Sequence, residues 1–275
     1  MKMKRKIFLT LTLSLLIVST YEVSAQFTPA EIAQREQWDE FLKTAEIVSY
    51  KDIGEGVTKP KRLFLQMGDV EASGVWKNPR GMQLGFLEGW QYEIAAYEMD
   101  KLLGLNMIPP TVEREFKGKR GSLQLWITLE MSDLERMERK LDIPEPNVEN
   151  WSKMKYLARA FDCLIANEDR TQENIRYTKD WRTILIDHSR SFRSSKKFTK
   201  QLMYGKNGLK EVKLFRVLPR EFVEKVKALN FDNLKKSMGS YLKDKEIKAI
   251  LLRKDLFLAE IEEMIKEKGE DKVLY

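Results

Sequence analysis

Short runs of alternating apolar and polar positions occupy the first half of the chain, and long helical periods occupy the second. Ala45 to Tyr50, Lys61 to Gln66 and Ala72 to Lys77 read as strands. The turn signals Gly54-Glu55-Gly56 and Met67-Gly68-Asp69 separate them. Ahead of them, Thr28 to Thr44 reads as a helix, with Pro29 at its first position. Glu88 to Leu103 is predicted as a helix because Trp90, Ile94, Tyr97 and the Leu102/Leu103 pair fall near a 3.6-residue spacing, and Gly104 ends it. Thr111 to Phe116 and Ser122 to Thr128 bracket Lys117-Gly118-Lys119-Arg120-Gly121, a hairpin signal. Beyond Met131 the pattern turns helical over Trp151–Ile165, Pro219–Leu229, Phe231–Leu242 and Asp244–Lys268, with one short hairpin from Ile175 to Ile186. The last helix carries Ile247, Ile250, Leu251, Phe257, Leu258, Ile261 and Met264 as a core-facing stripe. There is no internal repeat. Five strands and a helix followed by a helical half predict an α+β chain of two lobes, residues 26–131 and 132–275.

The first 25 residues stand apart. Lys2 to Lys6 are basic, Ile7 to Thr20 are apolar, and Val23-Ser24-Ala25 places small residues before a cut at Ala25-Gln26, the pattern of a secretory signal peptide over residues 1–25. The apolar run is shorter than the ~20 residues a spanning helix needs, and no other segment approaches that length. The expectation is a secreted or periplasmic protein, or one of a secretory pathway, with no membrane span in the mature chain.

Composition narrows the chemistry. One Cys among 275 residues excludes a disulfide scaffold and thiolate metal clusters, and Cys163 lies in the apolar stretch Leu157 to Ile165, as a core residue would. One His excludes zinc sites built on paired histidines. No Gly-x-Ser-x-Gly elbow accompanies His188 and Ser189, which removes the hydrolase option. The net charge is +7, and three of those charges fall in the first 25 residues. The remainder is mildly basic, with no stripe of Lys and Arg interleaved with aromatics, so nucleic acid is not an expected partner.

The informative segment is Asn167 to Phe192. Asp169 and Asn174 are five apart, and Asp187 follows thirteen later. A hairpin turn centred on Asp180-Trp181 pairs residues whose numbers sum to 361, which sets Asn174 opposite Asp187 at the open end, with Asp169 in the loop leading in. Asn174 and Asp187 offer oxygens suited to a hard cation, Mg²⁺ or Mn²⁺, and Asp169 is placed to accept a proton from a hydroxyl nucleophile. Kinases use an Asp, an Asn five residues on and a later Asp in these roles. Upstream, Lys77 ends a strand and Glu93 lies one turn into the next helix, the order of a phosphate-binding Lys and its helix Glu. Gly54 and Gly56 sit where backbone must approach phosphates closely.

These motifs resemble the atypical kinase group that holds the secretory-pathway (Golgi casein kinase and Four-jointed) kinases, HipA and the phosphatidylinositol kinases. The resemblance rests on Tyr92-Glu93-Ile94-Ala95-Ala96-Tyr97-Glu98-Met99-Asp100 running on to Ile108-Pro109-Pro110-Thr111-Val112-Glu113-Arg114, on Phe161 to Arg170, and on Leu185-Ile186-Asp187. It spans about Val48 to Phe192 and more loosely the helical end. It implies a bilobal protein-kinase-like fold that binds ATP with Mg²⁺ or Mn²⁺ and transfers the γ-phosphate to a protein Ser/Thr or sugar hydroxyl. By it, Lys77 and Glu93 hold ATP, Asp169 is the acid–base group, Asp187 binds metal, and the adenine lies by the linker after Thr128, near Glu130 and Met131. Two departures stand out. Thr171 occupies the place of a His that often follows Asp-Arg. Asn174 stands where the secretory kinases tend to have Glu, and Glu173 is an adjacent candidate ligand. The alternatives are a non-catalytic nucleotide- or partner-binding module on the same fold, a lipid kinase, or a nucleotidyl transferase.

Overall fold

The computed structural model describes residues 27–53, 59–214 and 216–275. The proposed signal peptide and the glycines Gly54 and Gly56 lie outside the described residues. The chain opens with two short helices, α1 (Pro29–Ala33) and α2 (Arg35–Thr44). Thr28 caps α1 in a capping box with Glu31, and the chain breaks stride at Gln34, so the predicted single helix is two. Strands β1 (Glu46–Asp52), β2 (Lys61–Met67) and β3 (Val70–Lys77) follow. Next comes a hairpin, β4 (Arg80–Gln83) and β5 (Phe86–Gly89), and then helix α3 (Trp90–Leu103). Strands β6 (Thr111–Phe116) and β7 (Lys119–Leu125) complete an antiparallel sheet of order β1-β2-β3-β7-β6.

The second half holds β8 (Met131–Ser132), α4 (Asp133–Glu138) and α5 (Val148–Ile165). The β9 (Ile175–Tyr177) and β10 (Thr183–Leu185) hairpin joins β8 in a small sheet. Helices α6 (Lys196–Lys200), α7 (Arg220–Lys227), α8 (Phe231–Met238) and α9 (Asp244–Lys268) close the lobe.

Two differences from the sequence expectation matter for the site. Glu88 and Gly89, expected as the first residues of the helix, are strand, because Leu84 and Gly85 take positive φ and turn β5 back on β4. The β9–β10 pairs sum to 360, not 361 (Thr183 faces Tyr177, Leu185 faces Ile175). The turn is therefore centred on Asp180, with Trp181 at φ 64°, and Asn174 lies opposite Ile186 rather than Asp187, receiving the Ile186 N–H on its carbonyl at 3.2 Å.

The β-rich lobe has its own core on one face of the sheet: Leu63, Leu65, Trp76, Leu123 and Leu125, with Phe41 and Leu42 of α2 packed on them. The larger core combines the helical half with α3 through Ala95, Ala96, Tyr97, Met99 and Leu103. Helix α3 is buried on nearly every side, so it belongs structurally to the helical lobe while carrying Glu93 towards the sheet. Tyr92 of α3 donates to the Glu246 carboxylate of α9 at 2.8 Å, and the Leu185 amide donates to the Met107 carbonyl at 2.9 Å. Buried Arg35 ties the N-terminal helices in by pairing with Asp100 of α3 at 3.1 Å. No helix among the described residues is long and apolar enough to cross a membrane.

Candidate active site between the lobes

Strand β3 ends at Lys77, and the sheet closes tightly there: a Cβ on Gly121 of β7 would lie 2.5 Å from the Lys77 carbonyl oxygen. Only glycine lets the two strands pair at that point. The Lys77 ammonium sits 3.2 Å from Glu93 Oε1 and 3.2 Å from Asp187 Oδ1. Burial alone would push the ammonium down, but Asp187 and Glu93 outweigh it and hold its pKa above the ordinary lysine range. Burial likewise works to raise the Glu93 carboxyl, and Lys77 and His188 more than offset it, holding it below its ordinary value. The second Glu93 oxygen accepts the His188 backbone N–H at 2.9 Å, so Glu93 ties α3 both to the sheet and to the segment after β10.

Asp187 leaves the hairpin in a left-handed conformation (φ 57°), one that Asp tolerates better than most residues. That turn, not the strand register, swings its carboxylate towards Lys77. The Ser189 hydroxyl donates to Asp187 Oδ1 at 3.3 Å. His188 is fully buried. Its Nε2 lies 2.8 Å from an Arg170 N–H, which can only donate, so Nε2 accepts and the proton resides on Nδ1, 3.8 Å from Glu93 Oε2. Burial pushes the imidazole pKa down, which keeps the ring neutral.

Helix α5 ends in left-handed Ala166 and delivers the loop that holds Asp169. Asn167 Oδ1 accepts the Asp169 N–H at 3.0 Å. Arg170 spends all five guanidinium protons inside the protein: two on buried Asp162 at 3.0 Å each, one each on the carbonyls of Asn174 (3.1 Å) and Ile186 (3.0 Å), and one on His188. It therefore fixes both arms of the hairpin against α5. The Asn174 amide nitrogen donates to the Asp169 carbonyl at 2.7 Å, which leaves its Oδ1 to face elsewhere. Glu173 is exposed and Asn174 is buried.

The Asp169 carboxylate is half-buried, and burial raises its pKa against the opposing pull of Arg190. Arg190 lies 3.3 Å from Asp169 Oδ2 and places two donors on buried Glu88 of β5, at 2.8 and 2.7 Å, while stacking 4.5 Å over the Phe86 ring. Sequence reasoning missed Arg190, Glu88 and Arg170. The available signal for Glu88 was the Leu84-Gly85 turn, which marks β4–β5 as a hairpin. Glu130 donates its N–H to the Tyr177 carbonyl at 2.8 Å, and Met131 pairs with Tyr177 in the small sheet, so both are placed on β8 and its approach.

Among the described residues no cluster of three His, Cys, Asp or Glu side chains could hold a metal alone. Asn174 and Asp187 carry the oxygen donors of the kind a hard Mg²⁺-type ion takes, but the register sets Asn174 opposite Ile186, and the Asp187 carboxylate is engaged by Lys77 and Ser189.

No family model matches the sequence, and no curated protein matches it. Solved structures do. A hydra Fam20 solved with a sugar superposes with a TM-score of 0.61 at 16% identity, covering 88% of this chain and 92% of that one. A Golgi casein kinase gives a TM-score of 0.64 at 14% identity over 92% of this chain and 79% of that one. A Golgi casein kinase with Mn and ADP bound gives 0.60 at 14% identity, over 88% and 79%. The Helicobacter pylori proinflammatory kinase CtkA gives 0.53 at 11% identity over 83% of this chain and 96% of that one. The chain has the bilobal, atypical-kinase fold of Fam20 and the Golgi casein kinases.

Proposed function

We propose that this protein is an exported, ATP-dependent phosphotransferase that moves the γ-phosphate to a hydroxyl of a protein or glycan. One observation carries the reading: Lys77 stands 3.2 Å from both Glu93 and Asp187 in the cleft between lobes, and the loop carrying Asp169 and Asn174 is bound to the same hairpin. The fold of structures solved with Mn and ADP and with a sugar and the signal-peptide pattern of residues 1–25 support it.

In this reading Lys77 binds the α- and β-phosphates, and Glu93 holds it in place from α3. Asn174 and Asp187 hold the divalent ion, Mg²⁺ or Mn²⁺, and Glu173, exposed to solvent, does not. When bound, that ion neutralises charge on the phosphates and orients them. Asp169 accepts the proton of the acceptor hydroxyl as its oxygen attacks. The raised pKa of Asp169 suits a base that must take a proton and release it. Neutral His188 orients the site from behind Glu93 rather than entering the reaction.

The test is thermal unfolding with ATP, with and without Mn²⁺ or Mg²⁺, alongside γ-phosphate transfer to casein and to a glycan acceptor. Ligand at 100 times its dissociation constant stabilises by about 2.7 kcal/mol. Asp187→Ala is expected to lose the metal-dependent shift. Asp169→Ala is expected to keep it and to lose transfer by a factor of about 10² to 10⁴. A shift with no transfer to any acceptor would favour a nucleotide-binding module. Label transferred from the α-phosphate would favour nucleotidyl transfer. No shift in wild type would overturn the reading.

A further inference from the structure

The register of the larger sheet says what lies beyond Lys77 on the same face. Strand β3 faces β2 with Arg62 opposite Val75 and Phe64 opposite Ser73. It faces β7 with Ser122 opposite Lys77 and Gln124 opposite Val75, and the Trp126 N–H extends the ladder by donating to the Ser73 carbonyl at 2.8 Å. Alternation then puts Lys77, Val75, Ser73, Arg62, Phe64, Gln124 and Trp126 on one face. The opposite face is the apolar core covered by α2. From Lys77 to Ser73 is four residues, about 13 Å at ~3.3 Å each, room for a nucleotide to extend from its phosphates across the ribose to its base.

At that distance the structure holds a stack rather than an aliphatic slot. The Arg62 guanidinium lies 4.0 Å from the centre of the Trp126 ring and 5.2 Å from that of Phe64, and its Nε donates to the Ser73 hydroxyl at 3.0 Å. Arg62 has no carboxylate partner among the described residues. Trp126 is 40% exposed although large and apolar. A cleft of about 720 Å³ opens at this end of the sheet, lined by Arg62, Phe64, Ser73 and Trp126, with Glu71 beside them and Trp38 of α2 closing it from the other side; Lys77 is not in its lining. An uncompensated planar cation and an exposed indole, face to face, form a platform for a planar aromatic ligand.

We propose that Arg62 and Trp126 are the base-binding pair of this protein. The base enters over the Trp126 indole, and Arg62 leaves Ser73 to close on the base's other face. Stacking reads the ring face, which every base shares, and not the hydrogen-bonding edge. The site therefore accepts guanine as well as adenine, and GTP serves as donor beside ATP. The inference rests on the proposed nucleotide site and adds its selectivity.

Isothermal titration of the purified protein with ADP and with GDP, each with Mn²⁺, tests it. Wild type is expected to bind both with dissociation constants within about an order of magnitude of each other. Trp126→Ala is expected to weaken both roughly tenfold or more, Trp126→Phe to weaken them far less, and Arg62→Ala to weaken both. Trp126 is outside the core, so the unfolding temperature of Trp126→Ala should match wild type. Binding of ADP that excludes GDP, or ADP binding unchanged by both alanine variants, overturns the inference and leaves the phosphotransferase reading intact. Absence of ADP binding in wild type overturns both, whereas ADP binding that is lost in Asp187→Ala but unchanged in Trp126→Ala and Arg62→Ala overturns the inference alone.

Discussion

Arg170→Ala is the most searching single perturbation of the site. The Arg170 side chain is 3% exposed and its Asp162 partner is 0% exposed. Truncation leaves the Asp162 carboxylate buried with the Asn167 side-chain amide, at 3.1 Å, as its one remaining side-chain partner. It also strips donors from the carbonyls of Asn174 and Ile186. Removing one member of a buried, hydrogen-bonded ion pair costs about 3–5 kcal/mol, because the survivor stays desolvated without compensation. Lysine cannot substitute: it keeps the charge but has three donors in place of the five that Arg170 uses. Urea unfolding at neutral pH reads the cost. A cycle with Asp162→Ala separates pair from parts: the double variant should be more stable than the two single losses predict, by about 2 kcal/mol or more. Transfer activity, assayed at a temperature where the variant is folded, should fall as well, since Asn174 and Asp187 sit at the two hairpin ends that Arg170 clamps. A loss below about 1 kcal/mol, the range of exposed pairs, or strict additivity in the cycle would refute the assignment of Arg170 as the central tie.

Two further outcomes follow from named groups. Without Arg190 the Asp169 carboxyl, already raised by burial, loses its main opposing positive charge. In Arg190→Ala the acid limb of the pH–rate profile should therefore move to higher pH, because the base is protonated sooner as pH falls; an unmoved limb counts against the pairing. Burial pushes buried Asp100 up to about 6 from 3.8 despite Arg35. The folded state thus holds that proton more tightly than the unfolded one. The stability this supplies is complete below about pH 4 and fades as pH rises through 6, a change of about 3 kcal/mol. Urea melts of Asp100→Asn against wild type from pH 4 to 7 should differ in slope over that window and run parallel above it; parallel curves throughout would defeat the prediction.

The parts of the site that were legible in the sequence are those whose meaning is local. Lys77 at a strand end, Glu93 one turn into the following helix, and Asp169 five before Asn174 can each be placed from periodicity and spacing, because strand and helix geometry fix where neighbouring side chains go. The two-lobed fold class was legible for the same reason, in short alternating runs that give way to long periods of 3.6, although α3 packs into the core of the helical half. The hairpin shows where this reasoning stops. Its existence followed from the pattern, but its register depended on whether Trp181 takes positive φ, and one residue of slip changes the partner of Asn174. The facing of Asn174 and Asp187 is lost with that slip, and Asp187 instead reaches Lys77 through a left-handed residue, which the apolar pattern does not encode.

What stayed hidden are the long charged side chains that act across the fold. Arg190 reaches Glu88 over a sequence separation of 102, and Arg253, with burial lowering its pKa to about 9, caps the Leu164 carbonyl of α5 over 89. A chain with 49 Lys and Arg offers no local mark of which ones are buried. The mark is physical and appears only in three dimensions: where each buried guanidinium spends its donors. Arg170 spends five, Arg190 spends its donors on two carboxylates, and Arg62 spends one on Ser73 and faces an indole with the rest of its plane. By that criterion Arg170 is structure, Arg190 tunes the base, and Arg62, held by one hydroxyl, is the guanidinium of the three that can leave its partner at least cost when a ligand arrives. The argument for its mobility is thus the same accounting that makes Arg170 immobile.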